Sequence, residues 1–314
     1  KDRHCLHAQL VPVGTLERLY LVVSVRCDRQ LCVAFQTNLT VMAKKRKQVV
    51  FTLLLVLVVS VALLVDGSDA KHFEEIGKRH QGDIVLTGIQ SDAAAGGGIP
   101  IMQDASKWTK GIVPFEISPV FTKPQVDQII NAMLAISSRS CVRFVTRLST
   151  HRQFLNITGN PTGCWATLGM NPLANELNLH PDGCLQTGVI VHQLLHAIGL
   201  THPQTRPDRD FYVLVQEDAI DAAQRSNLAK YQQGVIEDFG LPYDYESILH
   251  CQPDAFGSAT SNRATVVPLD DVEIGQREEL SLKDVRKLNK MYDYEYCGYC
   301  LRGNCNELGP NSMG

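Results

Sequence analysis

Hydrophobic and polar positions change period several times along the chain. Val126, Ile129, Ile130, Met133 and Leu134 recur at helical spacing and predict an amphipathic helix to about Ser138. Between residues 187 and 199 the apolar positions Ile190, Val191, Leu194, Leu195 and Ile198 predict a second helix, with Gly199 at its stop. A third is predicted over residues 281–292, where Ser281 and Asp284 open it like a capping box. The stretch IVPFEI at residues 112–117 reads as a strand, with Pro114 making it an edge or a bulge. Residues 141–145 (CVRFV) alternate like another strand. With long irregular connections between these elements, a mixed α+β domain is expected from around Trp108.

The first hundred residues are patterned differently. Residues 1–41 show no clear periodicity and form an upstream segment of doubtful status. From Met42 the chain reads MAKKRKQ, then an uncharged apolar run from Val49 to Val65, then the small residues Gly67, Ser68 and Ala70. That order describes a secretory signal peptide over residues 42–70, with Met42 as the start. A signal anchor is the rival reading, because the 17 apolar residues lie near the lower limit for spanning a bilayer. Cleavage is favoured, since the run ends in small rather than basic residues. The chain is then polar to about Met102 and contains SDAAAGGGIP, a flexible and easily cut composition. Residues 71–94 therefore read as a pro-segment and linker, with a plain disordered arm as the alternative. The domain is expected over residues 95–297, followed by a short Cys-containing tail over 298–314.

Net charge is −3 with 20% charged residues, so nothing in the balance points to nucleic acid or an acidic partner. After signal cleavage no membrane attachment is expected, and the protein should be secreted and extracellular. Secretion changes how the cysteines are read. Seven of them follow Met42: Cys141, Cys164, Cys184, Cys251, Cys297, Cys300 and Cys305. In an oxidising compartment most should be disulfides, and the odd number leaves one over. Asn156-Ile157-Thr158 is a glycosylation sequon consistent with that compartment.

The chemistry is concentrated in VIVHQLLHAIGLTHPQTRPDRD, residues 189–210. On a helix, His192 and His196 lie one above the other on one face and can aim at one point. Gly199 can take positive φ and end the helix, so that the returning chain brings His202 as a third ligand. Three protein ligands leave a fourth position open, as in catalytic zinc sites. From the composition the full HxxxHxxGxxH pattern arises by chance on the order of once in a thousand such chains. One Zn²⁺ per chain is expected.

HxxxHxxGxxH followed by RPDRDFYV resembles the astacin family of secreted zinc endopeptidases, within the metzincins. WTKGIVPFEI, SRSCVRFV, GCWATLG, GCLQTGVIVH, PYDYESILHC and LSLKDVRKLNKMY resemble further family segments, in order and at natural spacing, over roughly residues 95 to 297. The resemblance implies a two-lobed metzincin-like domain, an active-site helix closing the first lobe and a central cleft for a peptide or protein substrate. It implies disulfides joining Cys141 to Cys297 and Cys164 to Cys184. Gly82-Asp83-Ile84 resembles the family's pro-segment motif, which would place Asp83 at the zinc's open position and hold the protein latent.

Several positions depart from the family pattern. The general-base Glu beside the first ligand is Gln193, whose amide cannot take up a proton. The Glu after the third histidine is Pro203, and the Met-turn methionine is Leu249, a volume-conserving change. At the position of the oxyanion Tyr stands Cys251, which is too short to replace it. Cys251 reads as a buried small hydrophobe or a disulfide partner of a tail cysteine, ahead of a metal ligand or redox handle. A strongly impaired zinc endopeptidase is expected. The alternatives are a pseudoprotease that binds peptides or competes with active relatives, and a secreted module that zinc only stabilises.

Overall fold

The computed structural model describes residues 78–96, 100–102, 106–258 and 263–292, together with the backbone of three strands before residue 41. The expected signal peptide, the GGG linker centre, Cys297, Cys300, Cys305 and the tail lie outside the described residues. The chain divides into two units, residues 1–70 and 71–314. In the first, β1 (Cys5–Pro12), β2 (Arg18–Arg26) and β3 (Ala34–Thr40) form an antiparallel sheet in the order β1-β2-β3. This corrects the expectation of no pattern there. β2 is rich in Leu, Val and Tyr, which suit a strand, but the adjacent Val22 and Val23 interrupt the alternation.

The second unit opens with β4 (Ile84–Val85) and α1 (Gly88–Ala94), at whose N-terminus Thr87 and Gln90 cap reciprocally. Next come β5 (Ile112–Ile117), α2 (Lys123–Ser137), β6 (Arg143–Thr146), β7 (Leu155–Thr158), β8 (Cys164–Thr167) and β9 (Glu176–Leu179). The strands form one sheet in the order β4-β8-β9-β7-β5-β6, parallel except where β8 meets β9. β5 is therefore interior and pairs with β6 in unbroken register, neither the edge nor the bulge expected from Pro114. Pro114 pairs with Val145 of β6, while pairing to β7 begins only at Phe115, so the missing N–H interrupts no bond to β7.

α2 buries Ile129, Ala132, Met133 and Ile136 at i, i+3, i+4 and i+7, and leaves Leu134 exposed. α3 (Thr187–Ala197) is different, because every residue from Gly188 to Ala197 is buried. Such a helix is enclosed on all sides, and one contact requires glycine. A Cβ on Gly188 would lie 1.7 Å from the carbonyl oxygen of Arg277. Gly188→Ala is expected to cost about 2–3 kcal/mol by forcing the two backbones apart. For a domain of this size that lowers the thermal midpoint by roughly 5–10 °C in calorimetry. A shift under about 2 °C would contradict the close approach.

Past α3 the chain is mostly irregular, with β10 (Val213–Val215) paired antiparallel to β11 (Val266–Pro268). These strands border a second apolar cluster containing Tyr243, Cys251 and Phe256, separate from the main cluster built on the sheet, α2 and α3. α4 (Leu282–Met291) follows, its N-terminus capped by Ser281 and Asp284 as expected. It sends Leu288 and Met291 back to the main cluster. Cys164 and Cys184 form a disulfide that ties β8 to the loop entering α3. Cys141 is disulfide-bonded, and its expected partner falls outside the described residues.

Candidate metal centre

α3 ends in a Schellman turn. Leu200 N–H donates to Leu195 O and Gly199 N–H to His196 O, with Gly199 at φ +110°. Trp108 Nε1–H and the Tyr292 hydroxyl satisfy the carbonyls of Ala197 and Ile198, so the helix end is fixed from two sides. The turn carries His202 back over the helix. The Nε2 atom of His196 then lies 3.0 Å from that of His192 and 3.2 Å from that of His202. Two ligands about 2.0–2.1 Å from a tetrahedral ion stand about 3.3 Å apart, so the spacing fits zinc.

The outer nitrogens are all occupied. His192 Nδ1 donates to Ile248 O (2.9 Å), His196 Nδ1 to Leu200 O (2.7 Å) and His202 Nδ1 to Gln81 Oε1 (3.0 Å). A neutral imidazole has one N–H, so these bonds turn three Nε2 lone pairs toward one point. Burial, with the Arg277 charge as a further cause, holds His192 below the ordinary imidazole range. Burial likewise holds His202 well below it.

Asp83 enters the same point. Its Oδ2 is 3.0 Å from His192 Nε2 and 3.4 Å from His196 Nε2, and its Oδ1 is 3.5 Å from His202 Nε2. Burial pushes this carboxyl up, yet the surrounding imidazoles hold it well below the usual carboxylate range. The carboxylate and the three imidazole Nε2 atoms thus converge on one point, and Asp83 Oδ1 has no hydrogen-bond partner. Among the described residues these four side chains form the group able to hold a metal, their ligand atoms within 4.8 Å of one another. An N₃O set with the outer nitrogens fixed suits zinc.

Gln193 is fully buried beside this point. Its Nε2 donates to Asp83 Oδ2 at 2.6 Å, and its Oε1 has no partner. Leu249 lies in the main cluster, directly after the Ile248 carbonyl that steadies His192. Pro203 is buried at the start of a 3₁₀ turn, Pro203–Thr205, where its fixed φ suits the first helical position. Cys251 is a buried thiol packed with Val213 and Tyr243. With Gln81, Asp83, His202, Gln204 and Arg277 it borders a cavity of about 10 Å³, room for one water. Asn156 sits half-buried in β7, flanked by β5 and β9.

The model of the Astacin peptidase family matches residues 101–293. The chain belongs to the astacin family. It is 36% identical over 187 residues to an astacin-like metalloendopeptidase of Coturnix japonica, covering 59% of this chain and 44% of that protein. To zinc metalloproteinase nas-14 of Caenorhabditis elegans it is 34% identical over 193 residues, covering 61% and 37%. The solved structure of high choriolytic enzyme 1, a hatching enzyme zinc-protease from Oryzias latipes (medaka), superposes with a TM-score of 0.56 at 34% identity. That match covers 61% of this chain and 96% of the other. The chain therefore carries an astacin-type zinc metalloprotease domain, and spans less than half the length of the first two relatives.

Beneath the astacin site, sequence reasoning missed Gln81, which fixes His202, and Arg277, whose main chain seats α3 and whose charge bears on His192. It also passed over His250. This fully buried ring donates from Nδ1 to Cys251 O (3.0 Å) and meets the Tyr243 hydroxyl through Nε2 (2.8 Å). Burial lowers its pKa to about 4. The unfolded chain takes up this proton near pH 6.5 and the folded chain only near pH 4, so folding loses stability as pH falls through that window. Between these limits the wild type should lose roughly 3 kcal/mol more than His250→Gln in denaturant titrations. Parallel pH curves would contradict this.

Proposed function

We propose that the chain is a secreted astacin-type zinc metalloendopeptidase whose peptide-bond hydrolysis is strongly impaired. In this reading His192, His196 and His202 hold one zinc per chain, and Asp83 of the pro-segment takes the fourth position until it is displaced. The cleft then receives a peptide or protein. Bound zinc would supply a Lewis acid that polarises a carbonyl and acidifies water. The His192, His196 and His202 side chains orient that charge through their Nδ1 bonds, kept in place by the Ile248 and Leu200 carbonyls and the Gln81 side chain.

The observation that carries the impairment is Gln193. It stands within hydrogen-bond reach of the metal point, where a general base is required. Its Oε1 can accept a hydrogen bond and so position water, but an amide does not take up the proton or return it to the leaving amine. Cys251 adds to the loss, because a thiol in the second apolar cluster does not supply the hydroxyl expected for the oxyanion. A pseudoprotease that only binds peptides is the second reading, favoured by the same Cys251 and by the uncharged Pro203. The test uses zinc-loaded wild type freed of its pro-segment and a set of labelled peptides. Slow zinc-dependent turnover supports the proposal, and zinc-dependent binding without turnover favours the second reading. Rapid hydrolysis abolished by a chelator would overturn it.

A further inference from the structure

We propose that Gln193 is a clamp on the chain's own residues 79–95, making them a lasting intramolecular ligand of the cleft. The inference rests on the reading above that Asp83 lies at the metal's fourth position. The contact is direct, with the Gln193 amide donating to Asp83 Oδ2 at 2.6 Å and both side chains buried. A carboxylate only accepts, so the atom that faces it must be the amide nitrogen. A glutamate at this place would set a second acceptor and a second negative charge against Asp83. The residue that removes the general base therefore supplies a charge-assisted donor to the segment that covers the site.

The rest of the segment is seated to match. The Arg79 guanidinium lies 3.7 Å over the Trp165 ring, and His80 Nε2 meets the Tyr231 hydroxyl at 2.8 Å. β4 runs parallel to β8, with Ala166 N–H donating to Asp83 O and Leu168 N–H to Val85 O, each at 3.0 Å. Gln90 Nε2 donates to Leu168 O, while Ile84 and Ala93 pack with Leu168, Tyr231 and Val235 in an apolar cluster of their own. Cutting the chain after residue 95 leaves all of these contacts intact. The clamp predicts a segment that stays docked after such a cut, so that an incoming peptide must compete with it.

Hydrogen exchange on the intact, zinc-loaded full chain tests this without reading activity. The amides of Ile84, Ala166 and Leu168 report the seating of β4, and that of Asn156, bonded to Asn175 O, reports the rest of the sheet. Gln193→Glu should speed exchange at the first three roughly 10- to 100-fold, the range expected for losing a hydrogen bond to a charged group, and leave Asn156 unchanged. Adding Asp83→Asn to Gln193→Glu exchanges donor and acceptor and should restore protection. If Gln193→Glu also loosens Asn156, Gln193→Met removes the donor at similar volume without adding charge, and the same selective acceleration is expected. Equal exchange in wild type and either variant, or no recovery in the double variant, would overturn the clamp. The impaired-protease reading fails separately, by rapid chelator-sensitive peptide cleavage in the wild type.

Discussion

Gln193→Glu is expected to raise kcat/KM of the zinc-loaded, pro-segment-free protein by about 10²–10⁴, the usual contribution of general acid–base catalysis. This corresponds to roughly 3–5 kcal/mol of barrier. The expectation follows from shape. Glu and Gln differ by one atom, the site around residue 193 is closed by α3 and the Ile248 turn, and His192 and His196 are held by main-chain carbonyls independently of residue 193 and of the pro-segment. The variant should therefore change the proton inventory and leave the ligand geometry alone. Initial rates on a fluorogenic peptide, with zinc content measured on the same samples, give the ratio. A gain below about tenfold with zinc retained would place the larger defect at Cys251, the expected oxyanion position, or at Pro203.

Stripping the metal should have the second large effect. Three imidazole nitrogens and a buried carboxylate converge on the metal point, and Asp83 Oδ1 has no hydrogen-bond partner. Binding that is specific to the folded chain stabilises it by about 4 kcal/mol when free zinc exceeds its dissociation constant 1,000-fold. A strong chelator should then lower the thermal midpoint by roughly 10 °C. His196→Ala, which removes the ligand common to both short nitrogen contacts, should show the lower midpoint with or without chelator. Equal sensitivity of wild type and His196→Ala to the chelator would mean that the ion sits elsewhere.

The parts of this site that were legible in the sequence are the local ones. The spacing of His192, His196, Gly199 and His202 encodes a helix, its Schellman turn and a returning ligand within a dozen residues, so period and glycine chemistry suffice. Ser281 and Asp284 announce α4 for the same reason. What was not legible depends on contacts far apart in the chain. No local pattern indicates that β5 lies inside the sheet or that Gly188 touches Arg277. Leu134 fits the helical period yet faces solvent, because a period gives a face and not the width of the neighbour covering it. Gln81 was hidden because its partner, His202, is 121 residues away, although its place two residues before Asp83 is a usable signal.

The central claim is that the metal site is intact while the base is gone. The most direct measurement records zinc stoichiometry and peptide hydrolysis on one sample of wild-type protein freed of its pro-segment. One zinc per chain with hydrolysis about 10²–10⁴ below that of Gln193→Glu is the predicted result. Chelator-sensitive hydrolysis as fast as that of Gln193→Glu, or a wild type that binds no zinc, would contradict it.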